Sequence, residues 1–247
     1  MPLRLAHRYA FPEQKPRQVH ELYLGDIGSI ELAFHEPKIF LQLDRAKICR
    51  QIMDARWIDV KVLHLPTIKL DDLDFLSRVM GKAVDMALSL GCRDLVIHPS
   101  RTTLDKVRGL LSSAVTPLLV SSGTRLCWET FLGRKRLFYS PSQIAEFAGD
   151  EPEAHGICYD TAHMGEHEDV VRELREYLPH IRVIHASNRT PGHKRLHLPI
   201  FHPEGTLNFS EILATLRKTN FKGVLVLEYL SDFRKEQLFD YAMLKQL

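Results

Sequence analysis

The sequence predicts an α/β fold: a single-domain, eight-stranded parallel (β/α)8 barrel spanning residues 1–247. Three observations carry that expectation. Short, apolar, β-branched runs recur along the whole chain at intervals of roughly thirty residues, as buried parallel strands do. Amphipathic segments lie between them. An ionisable residue stands at the end of nearly every run, where barrels of this kind gather their functional groups. The length of 247 residues suits one such unit.

Taken in order, the candidate strands are Arg4–His7, Ser29–Phe34, Val60–Leu65, Asp94–His98, Arg125–Glu129, Gly156–Asp160, Arg182–His185 and Val224–Tyr229. Helical spacing marks Leu43–Ala55, Leu73–Leu90, Ser142–Ala148, Asp169–Tyr177, Phe209–Thr219 and Asp232–Leu247. The second of these carries Leu76, Val79, Met80, Ala83, Val84, Ala87 and Leu90 on one face and stops at Gly91. Leu104–Leu119 has a weaker pattern, because Pro117 should end or kink it. A doubly wound open sheet is the competing fold, but no G-x-G-x-x-G follows the first strand. The chain shows no linker or low-complexity tract.

Composition narrows the classes of function. Basic and acidic residues number 33 and 31, so net charge offers no argument for a nucleic-acid or membrane partner. Cys49, Cys92, Cys127 and Cys158 form no C-x-x-C pair and read as reduced thiols. The start of the chain lacks a long apolar segment, and a cytoplasmic location is expected. A homo-oligomer is compatible with these features. The thirteen histidines are the oddity, since histidine is the commonest metal ligand and proton shuttle.

Those histidines fall largely where chemistry is expected. The first strand ends at His7, and the second leads into His35 and Glu36. The others present His64 in VKVLHLP, His98 in LVIHPS, Glu129 in LCWETF, Asp160 in GICYDTAH, His185 in RVIHAS and Glu228 in VLVLEY. Closing the barrel aims the last six at one small volume. Three carboxylates that close repel unless a cation neutralises them, so the pattern implies a divalent metal. A mixed histidine and carboxylate set suits zinc, manganese, cobalt or iron.

Two basic segments should overhang the same rim: GRKRL at Gly133–Leu137 and SNRTPGHKRLH at Ser187–His197. Arg134, Lys135, Arg136, Arg189, Lys194 and Arg195 either grip a phosphate or acidic sugar derivative or remain solvated. His197 closes the second segment and is placed with them at the substrate. Cys127 and Cys158 share the inward direction of Glu129 and Asp160 and read as barrel packing, whereas Trp128 should face the helices. His20, His155, His167 and His180 are expected at the surface, and His202 has no assigned role.

From HLP at His64 to LEY at Glu228, the order of strand-end motifs resembles the xylose-isomerase-like barrel superfamily, which holds sugar isomerases and epimerases and also endonuclease IV. The most specific parts are Glu129–Thr130, the D-x-x-H of Asp160 and His163, and the G-x-x-x-x-E of Gly223 and Glu228. The resemblance implies that Glu129, Asp160, His185 and Glu228 hold one metal, which stabilises the enediolate of a keto sugar or sugar phosphate. Glu129 and Glu228 then exchange the proton, while His163 and His98 orient substrate hydroxyls. The endonuclease IV branch implies an alternative, a phosphodiesterase acting on abasic DNA. There His64, His98 and Glu129 hold one metal, and the quartet holds a second. A third would need His163, His197 and an acid two positions before His197, where this chain has Arg195. A ligand-binding barrel without turnover is the remaining reading.

Overall fold

A computed structural model describes residues 3–11, 26–44, 48, 58–70, 72–131 and 137–246. The strands are β1 (Arg4–Ala10), β2 (Ser29–Ala33), β3 (Asp59–His64), β4 (Asp94–Ile97), β5 (Arg125–Glu129), β6 (His155–Asp160), β7 (Ile181–Ala186) and β8 (Val224–Leu227). They pair in chain order, all parallel, and β8 closes on β1 with Leu5 opposite Leu225 and His7 opposite Leu227.

Among the described residues the helices are α1 (Pro37–Gln42), α2 (Leu73–Leu90), α3 (Leu104–Leu110), α4 (Thr116–Ser122), α5 (Pro141–Gly149), α6 (His167–Glu176), α7 (Phe209–Lys218) and α8 (Arg234–Lys245). Asp72 caps α2 by accepting from the Phe75 N–H, and Gly91 ends it at φ 71°, a left-handed geometry that glycine adopts without strain. The short α1 was not anticipated. The helix expected at 43–55 falls mostly outside the described residues, as do His20, Cys49 and 133–136 of the first basic segment. Pro117 does not end its helix. A π-helical turn at Leu111–Val115 joins α3 to α4 and carries the chain past the proline. No helix among the described residues is long and apolar enough to cross a membrane.

Alternation along the strands sorts the barrel interior into layers. Ala6, Val62, Val96, Cys127, Cys158, Val183, Val224 and Val226 form a closed apolar plug in the middle. Below it, Arg4, Asp94, Arg125 and Arg182 border a cavity of about 370 Å³. Outward-facing residues pack under the helices: the Trp128 ring lies 4.8 Å from Phe138 and 6.3 Å from His155. His155, expected at the surface, is buried there, with Trp128 Nε1 donating to its Nδ1 at 3.3 Å and Thr116 Oγ1 at 2.9 Å from Nε2. Gly223 explains the start of the last motif: a Cβ there would collide with the Arg182 carbonyl, so only glycine lets β8 lie against β7 in this register.

Candidate metal centre

Each of the eight strands delivers one polar side chain to the carboxyl-terminal mouth: Arg8, Glu31, His64, His98, Glu129, Asp160, His185 and Glu228. The first two replace the residues expected there. β1 continues to Ala10, so Arg8 shares the inward parity of Ala6, while His7 turns outward toward α8. β2 stops at Ala33, leaving His35 and Glu36 exposed beyond it and Glu31 buried inside. The first follows from a side-chain period of two, which makes a one-residue offset reverse the face, and the second from where β2 stops, since His35 keeps the parity of Glu31 but lies past the last paired residue.

Local hydrogen bonds place the ligand-bearing strands. The Asp160 N–H donates to Thr130 Oγ1 at 3.0 Å, which ties the E-T motif of β5 to β6. Thr161 Oγ1 donates toward the Ser187 carbonyl at 2.7 Å, which ties β6 to β7. Asp160 Oδ1 accepts from the N–H groups of Ala162 and His163 and so caps the 3-10 turn Thr161–His163. Its second oxygen, Oδ2, faces the centre of the mouth.

Ligand atoms of Glu129, Asp160, His185 and Glu228 lie within 4.8 Å of one another, and all four residues are buried. His185 Nε2 lies 2.9 Å from Glu31 Oε2, so the ring donates that N–H to a carboxylate and turns Nδ1 toward the group. This is the arrangement by which proteins orient a metal-binding imidazole. Asp160 Oδ2, His185 Nδ1 and Glu228 Oε2 are all buried without a hydrogen-bond partner. His185 Nδ1 and Glu228 Oε2 stand 2.6 Å apart, yet that contact is not a directed hydrogen bond. Orphaned buried acceptors are costly, and three converging on one point fit a divalent cation.

Electrostatics agree. Burial opposes ionisation of Glu129, but the nearby His98 and His185 and the hydrogen bond from His64 hold it well below the usual carboxylate range. Glu228 is likewise held down against burial by Arg8, 2.5 Å away, and by His185. Asp160 is raised, chiefly by burial, with Glu228 and Glu129 adding to it against His163 and His197. His185 is raised well above its ordinary value despite burial, because Cys158, Glu31, Glu228 and Glu129 surround it. The mouth therefore calls for more positive charge than Arg8 supplies.

His64 and His98 approach Glu129 Oε2 at 3.1 and 3.0 Å and form a second group of potential ligands with it. His163 Nδ1 lies 3.3 Å from Asp160 Oδ2, and its ring packs 5.1 Å from that of His197. His197 adopts φ 55°, unusual for a histidine, and its Nδ1 sits 3.2 Å from Ser187 Oγ. These three, Asp160, His163 and His197, make a third group. The rim cations differ in placement. Arg189 is buried and donates to the Thr161 carbonyl at 2.6 Å and to the Gly165 carbonyl, tying two loops together. Arg195 stacks 4.8 Å over Phe233, and Lys194 is exposed.

A closed parallel barrel with a buried carboxylate–histidine cluster at its carboxyl-terminal mouth defines a β/α barrel with a candidate metal site. The chain belongs to the xylose isomerase-like TIM barrel family, whose model matches residues 20–244. A search of curated protein sequences finds no significant match. As a fold, the chain is similar to a D-tagatose 3-epimerase-like protein, with TM-score 0.76 and 19% identity over 98% of each chain. It is also similar to the 3-keto-D-glucoside 4-epimerase YcjR from E. coli, with TM-score 0.71 and 16% identity over 99% of this chain and 100% of that one. A third likeness is to the IolI protein with a bound zinc atom, with TM-score 0.68 and 11% identity over 98% and 95% of the two chains.

Proposed function

We propose that this protein is a divalent-metal-dependent isomerase or epimerase acting on a small hydroxy-keto compound of the sugar class. The observation that carries the reading is the convergence of Asp160 Oδ2, His185 Nδ1 and Glu228 Oε2, buried and unpartnered, beside Glu129. The likeness to two epimerase folds and to a zinc-bound barrel supports it. The phosphodiesterase alternative draws no support from these likenesses.

Glu129, Asp160, His185 and Glu228 would hold the cation, with Glu31 orienting His185 behind it. A divalent cation there supplies Lewis-acid polarisation of a carbonyl oxygen and offsets the carboxylate charge. Glu129 and Glu228 are held ionised by their cationic neighbours, so each is ready to accept a proton. One takes the proton from the carbon beside the carbonyl, and the other, having first accepted a proton from solvent, gives it to the carbon skeleton. His163 and His98 reach toward the same space and position substrate hydroxyls. The Phe131 ring, 4.4 Å from His163 and 5.8 Å from His98, gives that corner an apolar wall.

Elemental analysis of protein purified without chelators tests the reading. About one tightly held ion per chain is expected, lost in Asp160→Asn. Two ions would mean that His64 and His98 also ligate. A chain that retains none, even after loading with zinc, manganese, cobalt or iron, is not a metal-dependent enzyme.

A further inference from the structure

The register of β1 sets Arg8 between two carboxylates. Arg8 pairs directly with Glu31 on β2, and because His7 lies opposite Leu227, the next step brings Arg8 beside Glu228 after β8. Its Nη1 lies 3.3 Å from Glu31 Oε1 and 2.5 Å from Glu228 Oε1. Neither Nη1 nor Glu31 Oε1 makes a directed hydrogen bond, so the contact is one of charge, as between a metal ion and its ligands.

The other oxygen of each carboxylate is already committed. Glu228 Oε2 belongs with the quartet, and Glu31 Oε2 accepts from His185. Glu31 also falls with His64 and His185 into a further group of potential ligands whose atoms lie within 4.8 Å of one another. Since Glu31 Oε1 and Glu228 Oε1 both reach the same nitrogen, a cation in its place would meet both. Arg8 and Glu228 line a cavity of about 400 Å³ beside them, which gives an ion and its waters a way in. Charge points the same way. Four carboxylates, those of Glu31, Glu129, Asp160 and Glu228, face the mouth. Two divalent ions would balance them without Arg8 and exceed them with it.

Resting on the metal-dependent reading above, we propose that Arg8 is a built-in cation holding the place of a further divalent ion between Glu31 and Glu228. Arginine suits the task because its charge is permanent and its planar head can face two carboxylates at once. The quartet is thereby left to polarise a carbonyl with one ion. A pair of ions clamping the attacking and leaving oxygens, as phosphoester displacement uses, is denied on this side of the mouth.

Equilibrium dialysis against zinc, followed by elemental analysis, tests the role of Arg8. Arg8→Ala should hold about one ion more per chain than the parent, and Arg8→Lys the same number as the parent. Added to Glu31→Gln, the Arg8→Ala change should bring no gain. Added to His98→Ala it should bring the full gain, which separates the new ion from the group of His64, His98 and Glu129. Should circular dichroism show that Arg8→Ala does not fold, Arg8→Gln removes the same charge with less loss of volume and should show the same gain. Equal counts in the parent and the neutral variant, a gain that survives Glu31→Gln, or an equal gain in Arg8→Lys overturns the proposal. The parent's own count tests the metal-dependent reading and the difference between chains tests Arg8, so the two can fail separately.

Discussion

At the carboxyl-terminal mouth, the carboxylates of Glu31, Glu129, Asp160 and Glu228 share Arg8 and a ring of imidazoles; at the opposite end, Arg4, Arg125 and Arg182 surround Asp94 beside an open cavity. Each lower arginine reaches an acceptor supplied by the fold, and only the Arg182 Nε stays buried without one among the described arginines of this end. Arg4 donates to the Lys222 carbonyl at 3.3 Å, Arg182 to the Pro179 carbonyl at 2.6 Å, and Arg125 to Asp94 at 3.0 Å. The upper cluster instead leaves three ligand atoms unsatisfied around one point. Between the two ends lies the apolar plug of Ala6, Val62, Val96, Cys127, Cys158, Val183, Val224 and Val226. Charge alone does not mark a site; charge left unbalanced and pointed at a shared volume does.

That contrast is open to direct test. The largest effect is expected at the mouth, where Glu129→Gln and Glu228→Gln keep side-chain shape but remove the proton acceptor. Each should lower turnover of the substrate by about a thousandfold while circular dichroism shows the fold retained. Unchanged turnover in either variant removes that residue from the proton transfer.

The histidines of the two halves should differ next. His185, among carboxylates, has its pKa raised, whereas burial lowers that of His155 to about 4 from an ordinary 6.5. Neutral His155 accepts from Trp128 and so donates from Nε2 to Thr116. Its contribution is complete above pH 6.5 and is lost as pH falls toward 4, because the unfolded chain takes up the proton first. The loss is about 3 kcal/mol. Urea unfolding at several pH values should give a shallower fall for His155→Gln than for the parent, and parallel curves would refute the assignment.

The smallest effect belongs to the lower end. Arg125→Gln breaks a partly exposed ion pair with Asp94 and should cost about 1 kcal/mol or less in urea unfolding. Turnover and metal content should not change. A loss of metal in that variant would mean that the plug does not insulate the two ends.

Much of the barrel was legible locally. VKVLH, LCWE, GICYD and VLVLE are continuous apolar runs closed by an ionisable residue, as strands buried on both faces require. Because those residues end strands, six of them could be expected in one volume, and the family resemblance singled out Glu129, Asp160, His185 and Glu228, whose side chains the fold brings within 4.8 Å of one another. Arg8 and Glu31 were missed for want of parity: reading Ala6, Arg8, Ala10 and Ser29, Glu31, Ala33 as inward faces would have found both. Pro117 was expected to end or kink its helix; the helix continues, with a π-helical turn just before the proline where the segment packs against α2 and β5.

The sequence by itself determined the strand and helix rhythm, the polar strand ends and their motifs, because periodicity and local hydrogen-bonding preference act over a few residues. Tertiary structure decided which partners those groups meet. Only closure of β8 on β1 sets Arg8 against Glu228, and only the packing of the loops after β6 and β7 takes the Arg189 guanidinium out of the mouth. Which charges end satisfied and which remain unpaired depends on contacts between distant segments, and those contacts exist only once the barrel is closed.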